Sequence, residues 1–434
     1  MSSSSFRLLF CAVVVAGLAG CGGSSSGGSG GGGGGNNPTI VTYTFNSSAN
    51  SVPPAVVATQ VGAGAYSLAT LTSSKLILSI PYGETNFSVA YLCPPEVEGT
   101  IPPTQLNYEY INQASTKDGT LFSASCFSAQ STTPTGVATV QVNAAAIPGA
   151  AGVAVDGYAM PWSSSTLDFS AAIPAGTYDV PITVSKGEYY NSYDNYLAIK
   201  ILRSQTIPGA LNGGASVVFG TSDEVVPQTI TYNNLPAGFF ANSPLVLYYT
   251  AGGAGILLDL AGPSGQYLSV PSAAVQTGDY YLMSMGAQSL AGALSLGGGT
   301  GVGIERYTSS GGPQSVTLPA PWSYAGPTAA ALPTFNFVYS GFSGMSNVSQ
   351  DANVTWGLET ASMNEIFMDS TANYQNGSTS MTVPDLSSVS GFLTPPTEGT
   401  VYWTADIAQG TLSSTNPPSG TIQYVSNNGT YALP

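Results

Sequence analysis

Thr39-Ile40-Val41-Thr42-Tyr43-Thr44-Phe45 consists entirely of β-branched and aromatic residues. Period two puts Val41, Tyr43 and Phe45 on one face and Thr42 and Thr44 on the other, the pattern of a half-buried strand. The same texture returns at 75–80, 86–92, 120–127, 137–142, 197–202, 228–232, 245–250, 334–339, 354–358, 378–383 and 401–407. Between these runs stand turn-forming residues, with 53 Gly and 30 Pro in the chain. No window sustains apolar residues at helical spacing without Gly or Pro interrupting it. Many short strands at turn-rich spacing predict an all-β chain of antiparallel sandwiches. A parallel α/β architecture is excluded, because its crossover helices are missing. Pro81, Pro181, Pro244 and Pro384 are placed to blunt sheet edges that few lysines protect.

Gly-x-Tyr-x-Leu/Val recurs at Gly64–Leu68, Gly176–Val180, Gly278–Leu282 and Gly429–Leu433. The first two gaps, 112 and 102 residues, each match one sandwich. A second echo sets 209–211 and 227–231 against 292–294 and 313–317. The Gly-x-Tyr start of a strand resembles the tyrosine corner of Ig-like domains, which implies tandem Ig-like β-sandwich modules. The expected modules are 38–133, 134–225, 226–330 and 331–434.

Composition removes several activities. The 434 residues include no His, 7 Lys+Arg and 22 Asp+Glu, a net charge of −15. Without His there is no Ser-His-Asp triad and no His-ligated zinc. So few cations on an acidic chain argue against nucleic acid as a partner. Gly23-Ser24-Ser25-Ser26-Gly27 imitates a nucleophile elbow in spacing alone, since that device needs a strand before it, a helix after it and a histidine. No metal-binding or cofactor fingerprint is present, and none of either is expected.

The first residues read as an address. Arg7 precedes an apolar run from Leu8 to Ala19 that is too short to span a bilayer. Leu18-Ala19-Gly20-Cys21 resembles the lipobox of bacterial lipoproteins. That resemblance implies a signal peptide over 1–20 and a lipidated Cys21 as the mature N-terminus. Gly22 in place of Asp implies outer-membrane sorting, with the body on the periplasmic or extracellular side. Residues 22–37 are only Gly, Ser, Asn. Such a composition reads as a disordered tether over 21–37, reaching roughly 20–25 Å for 16 residues.

Removing the leader and the lipidated cysteine leaves Cys93 and Cys126. An even pair in an exported chain predicts a disulfide, worth roughly 3.5–4 kcal/mol by loop closure and needing Cα atoms within about 7 Å. Among carboxylates, Glu96 with Glu98, Asp223 with Glu224 and Glu365 with Asp369 are candidate acid/base pairs, with solvated turns as the simpler reading. The segment 188–196 concentrates Tyr189, Tyr190, Tyr193, Asp194 and Tyr196, which offer stacking faces and oxygens to a ligand such as a glycan. Trp162 and Trp322 sit at loop-to-strand junctions, while Trp356 and Trp403 lie within strands and are expected in the core. The expectation is a non-enzymatic, lipid-anchored surface protein that meets the membrane through its anchor and a glycan or envelope protein through its body. A carbohydrate-binding module array and a carboxylate-dependent, glycan-active enzyme are the two alternatives.

Overall fold

The computed structural model describes residues 37–45, 51–98, 104–127, 136–155, 158–161, 167–173, 176–186, 196–207, 215–259, 265–289, 299–342, 348–358, 362–413 and 417–434. Their regular structure is almost entirely strand, with a four-residue helix α1 (Ala372–Gln375) and a single 3-10 turn at Thr221–Asp223. The all-β reading holds.

Four units follow one another. The first holds β1 (Thr39–Phe45), β2 (Ser51–Val52), β3 (Val56–Val61), β4 (Ser67–Leu68), β5 (Lys75–Ile80), β6 (Asn86–Leu92), β7 (Glu96–Glu98), β8 (Thr104–Ser115), β9 (Leu121–Ala124) and β10 (Cys126–Phe127). The second holds β11 (Gly136–Asn143), β12 (Gly152–Val155), β13 (Tyr158–Pro161), β14 (Leu167–Ile173), β15 (Gly176–Ser185), β16 (Tyr196–Ile207) and β17 (Ala215–Val218). The third holds β18 (Val226–Tyr232), β19 (Phe239–Ala241), β20 (Leu245–Tyr249), β21 (Gly255–Asp259), β22 (Gln266–Ser269), β23 (Tyr280–Ser289), β24 (Gly299–Thr308) and β25 (Gln314–Val316). The fourth holds β26 (Thr334–Asn336), β27 (Val348–Trp356), β28 (Ser362–Ser370), β29 (Ser380–Thr382), β30 (Gly399–Ser413) and β31 (Ser419–Leu433).

One wiring repeats in all four. A four-stranded array has the order β4-β3-β6-β8 in the first unit and β13-β12-β15-β16 in the second. It is β21-β20-β23-β24 in the third and β28-β27-β30-β31 in the fourth. Opposite it lies a smaller sheet built on the unit's opening strand: β5-β1-β9, β14-β11-β17, β22-β18-β25 and the pair β26-β29. Pairing is not wholly antiparallel, as the sequence reading had it. The opening strand pairs in parallel with the closing one in β1–β9, β11–β17 and β18–β25. The cause is simple: the seven strands of the four-stranded array and the three-stranded sheet together reverse from one to the next, which leaves the first and the last of them running the same way.

The short sequence echoes do not mark this repeat. Gly176 and Gly278 precede or open equivalent strands, β15 and β23, but Gly64 precedes β4 and Gly429 lies inside β31. The echo of 227–231 in 313–317 joins two parallel neighbours of one sheet, with Ile230 opposite Gln314. Nor do the tyrosines share one corner. Tyr431 donates to the backbone oxygen of Ala330, while the Tyr66 hydroxyl pairs with the Ser88 hydroxyl.

The units are also joined edge to edge. β24 pairs antiparallel with β31, tying the third unit to the fourth. β28 pairs in parallel with β8, tying the fourth to the first. One 14-stranded sheet results. The first unit keeps a core of its own around Val41, Tyr43, Phe45, Phe87 and Tyr91, and the second one around Val142, Val155, Ile182 and Phe219. A third core runs through the third and fourth units and takes in Ile199 and Ile201 of the second and Ile111 of the first. Trp322, Trp356 and Trp403 all belong to it. Large aromatic side chains of this kind contribute about 1.5–3 kcal/mol each on full burial.

Candidate functional site

The strand period that buries Ala352, Val354 and Trp356 in β27 turns Asp351, Asn353 and Thr355 to the opposite face. Register then lines up three carboxyls: Asp351 lies opposite Asp369 of β28 on one side and opposite Asp406 of β30 on the other. Asn112 of β8 continues the row beyond Asp369, and Ser426 of β31 continues it beyond Asp406. Two steps along the same face, Thr355 faces Glu365, whose carboxylate oxygen accepts from Asn353 Nδ2, while the Thr355 hydroxyl donates to Asn353 Oδ1 at 3.0 Å. Asp351, Asn353, Thr355 and Glu365 are all buried.

Like charges directly across strands repel, and burial disfavours the ionised form further. Burial, followed by the charge of Asp369, therefore drives Asp351 well above the carboxylate range. Burial raises Asp369 as well. Desolvation lifts Asp406 to about 7 and Glu365 to about 7. Glu305, on the same face of β24, is lifted to about 7 by the same cause. Burial thus pushes every carboxyl of the row toward its protonated form.

Glycines of β24 let side chains of β31 lie across this face. The Tyr424 ring crosses Gly303, where an added Cβ would stand 2.3 Å from the ring, and Ser426 Oγ would be 2.4 Å from a Cβ at Gly301.

A second polar cluster fastens the second unit to the third. Arg203 of β16 donates to Asp179 Oδ2 at 2.9 Å, to Asp279 Oδ2 at 2.7 Å and to the Ala274 carbonyl oxygen at 2.5 Å. The Tyr248 hydroxyl and the backbone N–H groups of Ala251 and Gln276 also donate to Asp279. Burial acts to raise Asp179 and Asp279, but it is outweighed, at Asp179 by the Ser204 backbone N–H at 2.8 Å, Thr250 and Arg203 and at Asp279 by Arg203 and the donors above, so both are held below the usual value. At the junction of the first and fourth units, Asp118 accepts from Thr371 Oγ1 at 2.6 Å and Asn373 Nδ2 at 2.5 Å.

Cys93 and Cys126 form the expected disulfide, with Cα atoms 5.3 Å apart. Tyr189, Tyr190, Tyr193 and Asp194, like Cys21 and Trp162, lie outside the described residues. Tyr196 is half-buried at the start of β16, opposite Ser185. Trp322 is buried in the core: it stacks on Tyr324 and Phe337, and its indole N–H donates to the Val338 oxygen at 3.0 Å. Glu96 and Glu98 form a short strand against β8 rather than a loop. Asp223 is paired with Lys200 at 3.0 Å. Glu365 and Asp369 share one face of β28 but stand four residues apart, about 13 Å along the strand.

Sequence reading missed Asp351 and Asp406. The available signal was their phase, opposite to the apolar residues of their strands; what it lacked was the strand pairing that brings them together. The chain matches no protein-family model and no curated protein.

Proposed function

We propose that the chain is a non-enzymatic surface lipoprotein, anchored in the outer membrane through Cys21, whose body serves adhesion, envelope structure or ligand display. The observation that carries this reading is the lipobox-like Leu18–Cys21 followed at once by sixteen residues of Gly, Ser and Asn. The pairing of β24 with β31 and of β28 with β8 supports a body that acts as one stiff piece. Cys21→Ser tests the anchor. It should abolish lipid labelling and either release the body or leave an uncleaved precursor. Continued palmitate incorporation with retention in the membrane fraction would refute it.

A second reading is favoured by the aromatic segment 188–196, whose Tyr189, Tyr190 and Tyr193 offer stacking faces to a glycan. Glycan-array binding that is lost on replacing Tyr189, Tyr190 and Tyr193 by Ala would support a carbohydrate-binding role. Binding unchanged by these replacements would remove it. An enzymatic role for carboxylates would instead require turnover that disappears when one of them is replaced.

A further inference from the structure

We infer that the outer face of β5-β1-β9 in the first unit is a lipid-contact surface, an assignment that rests on the proposed anchor for its choice of partner. Val41, Tyr43, Phe45, Leu76, Leu78 and Ile80 of this sheet point into the core. The alternate positions point out, and three of them are large and apolar. Ile40, Ile77 and Leu121 are 51, 64 and 68 % exposed. Leu121, Thr42 and Ile77 occupy one row across the three strands. At the usual strand spacing that row is about 10 Å wide, and Ile40 lies about 7 Å along β1 from it.

These side chains gather where the tether joins the body. β9 runs parallel to β1, so Leu121 lies at the same end as Ile40. Tyr82, 72 % exposed, follows the end of β5, where Ile80 pairs with Thr39. The titratable group at the outward positions of the three strands is Lys75, a cation. No carboxylate there would be pressed against anionic headgroups. The other large exposed apolar side chains of the described residues are spread over separate elements, as is ordinary for protein surfaces.

The occupant follows from where the chain leads. Residues 22–37 separate Cys21 from this sheet, and a coil of that composition reaches roughly 20–25 Å. A lipid on Cys21 therefore holds this end of the first unit next to the bilayer. The effective concentration of a short tether, in the millimolar range, lets a patch too small to bind alone engage the surface.

The test uses chain 21–434 made without its leader and coupled through the Cys21 thiol to a maleimide-bearing lipid. The support is a phosphatidylethanolamine/phosphatidylglycerol bilayer, and neutron reflectometry reads the height of the protein. The expected profile has protein density starting at the headgroups. Ile40→Ser/Ile77→Ser/Leu121→Ser, all at exposed positions and checked for an unchanged circular dichroism spectrum, should open a solvent gap of up to about 20–25 Å. The same gap in both proteins would overturn the assignment. So would solution dimerisation that the triple variant abolishes, since the patch would then serve a second copy. Chemical coupling makes this outcome independent of natural lipidation, which the mass of the N-terminal peptide from cells reads separately.

Discussion

Replacing Glu365 by Gln should leave the protein unchanged in acid and stabilise it above neutrality. Glu365 is 8 % exposed, and burial lifts its carboxyl from 4.5 to about 7. A carboxyl whose pKa is higher folded than unfolded favours the fold while both states are protonated. That contribution is complete below about pH 4.5 and is lost as pH rises through about 7. At about 1.4 kcal/mol per pH unit, the gap is worth on the order of 3 kcal/mol. Glutamine keeps the acceptor that Asn353 Nδ2 uses and carries no proton to lose. The stability difference between Glu365→Gln and the parent should therefore grow from near zero at pH 4.5 to on the order of 3 kcal/mol at pH 8. Asp406 and Glu305 push the parent the same way, whereas Asp179 and Asp279, held low, lose their contribution only as pH falls through the acid range. The parent should be most stable on the acid side of neutrality. Urea titrations of both proteins at half-unit pH steps, followed by tryptophan fluorescence, would measure this. Curves for parent and variant that run parallel from pH 4.5 to 8 would refute the reasoning.

Arg203→Met leaves Asp179 and Asp279 buried without their cation, at a cost of about 3–5 kcal/mol; limited proteolysis should then cut between the second and third units at protease levels that spare the parent. Reduction of Cys93–Cys126 should destabilise the first unit by about 4 kcal/mol, from the loop it closes; titration of the unreduced, denatured mature body should find no free thiol. Gly303→Ala forces its Cβ into the Tyr424 ring and should cost about 1–3 kcal/mol; Gly303→Ala combined with Tyr424→Ala should recover part of that loss in the same urea titration.

The class of fold was legible because strand period is local: Val41, Tyr43 and Phe45 declare a face without reference to any other segment. The disulfide was legible because elimination left two cysteines. The acid row was not, since Asp351, Asp369 and Asp406 are 18 and 37 residues apart and meet only through the β28–β27–β30 register. Motif echoes also misdirected, because a composition rich in Gly, Thr and Tyr repeats short strings by itself. The parallel pair β18–β25 carries one such echo within a single unit. Arg203 was passed over for a related reason: its partners are 24 and 76 residues away.

Joining sandwiches through their sheet edges answers the problem that scarce charge creates. An open strand edge is a template for aggregation, and lysine is the usual guard. With 7 Lys+Arg in 434 residues, this chain instead uses edges on one another. β24 closes on β31 over nine residue pairs, and β28 on β8 over nine more. Each junction removes two edges and adds a ladder of backbone hydrogen bonds. It also continues the sheet face on which the acid row stands: Asp369 next to the seam with β8, Asp406 one strand from the seam-forming β31. A charged row there would strain both joins. Burial in the joined sheet pushes Asp351, Asp369 and Asp406 up toward their protonated forms, so the shifted carboxyls and the union of the units are parts of one arrangement. Ionisation of the row as pH rises should accordingly loosen the first, third and fourth units together.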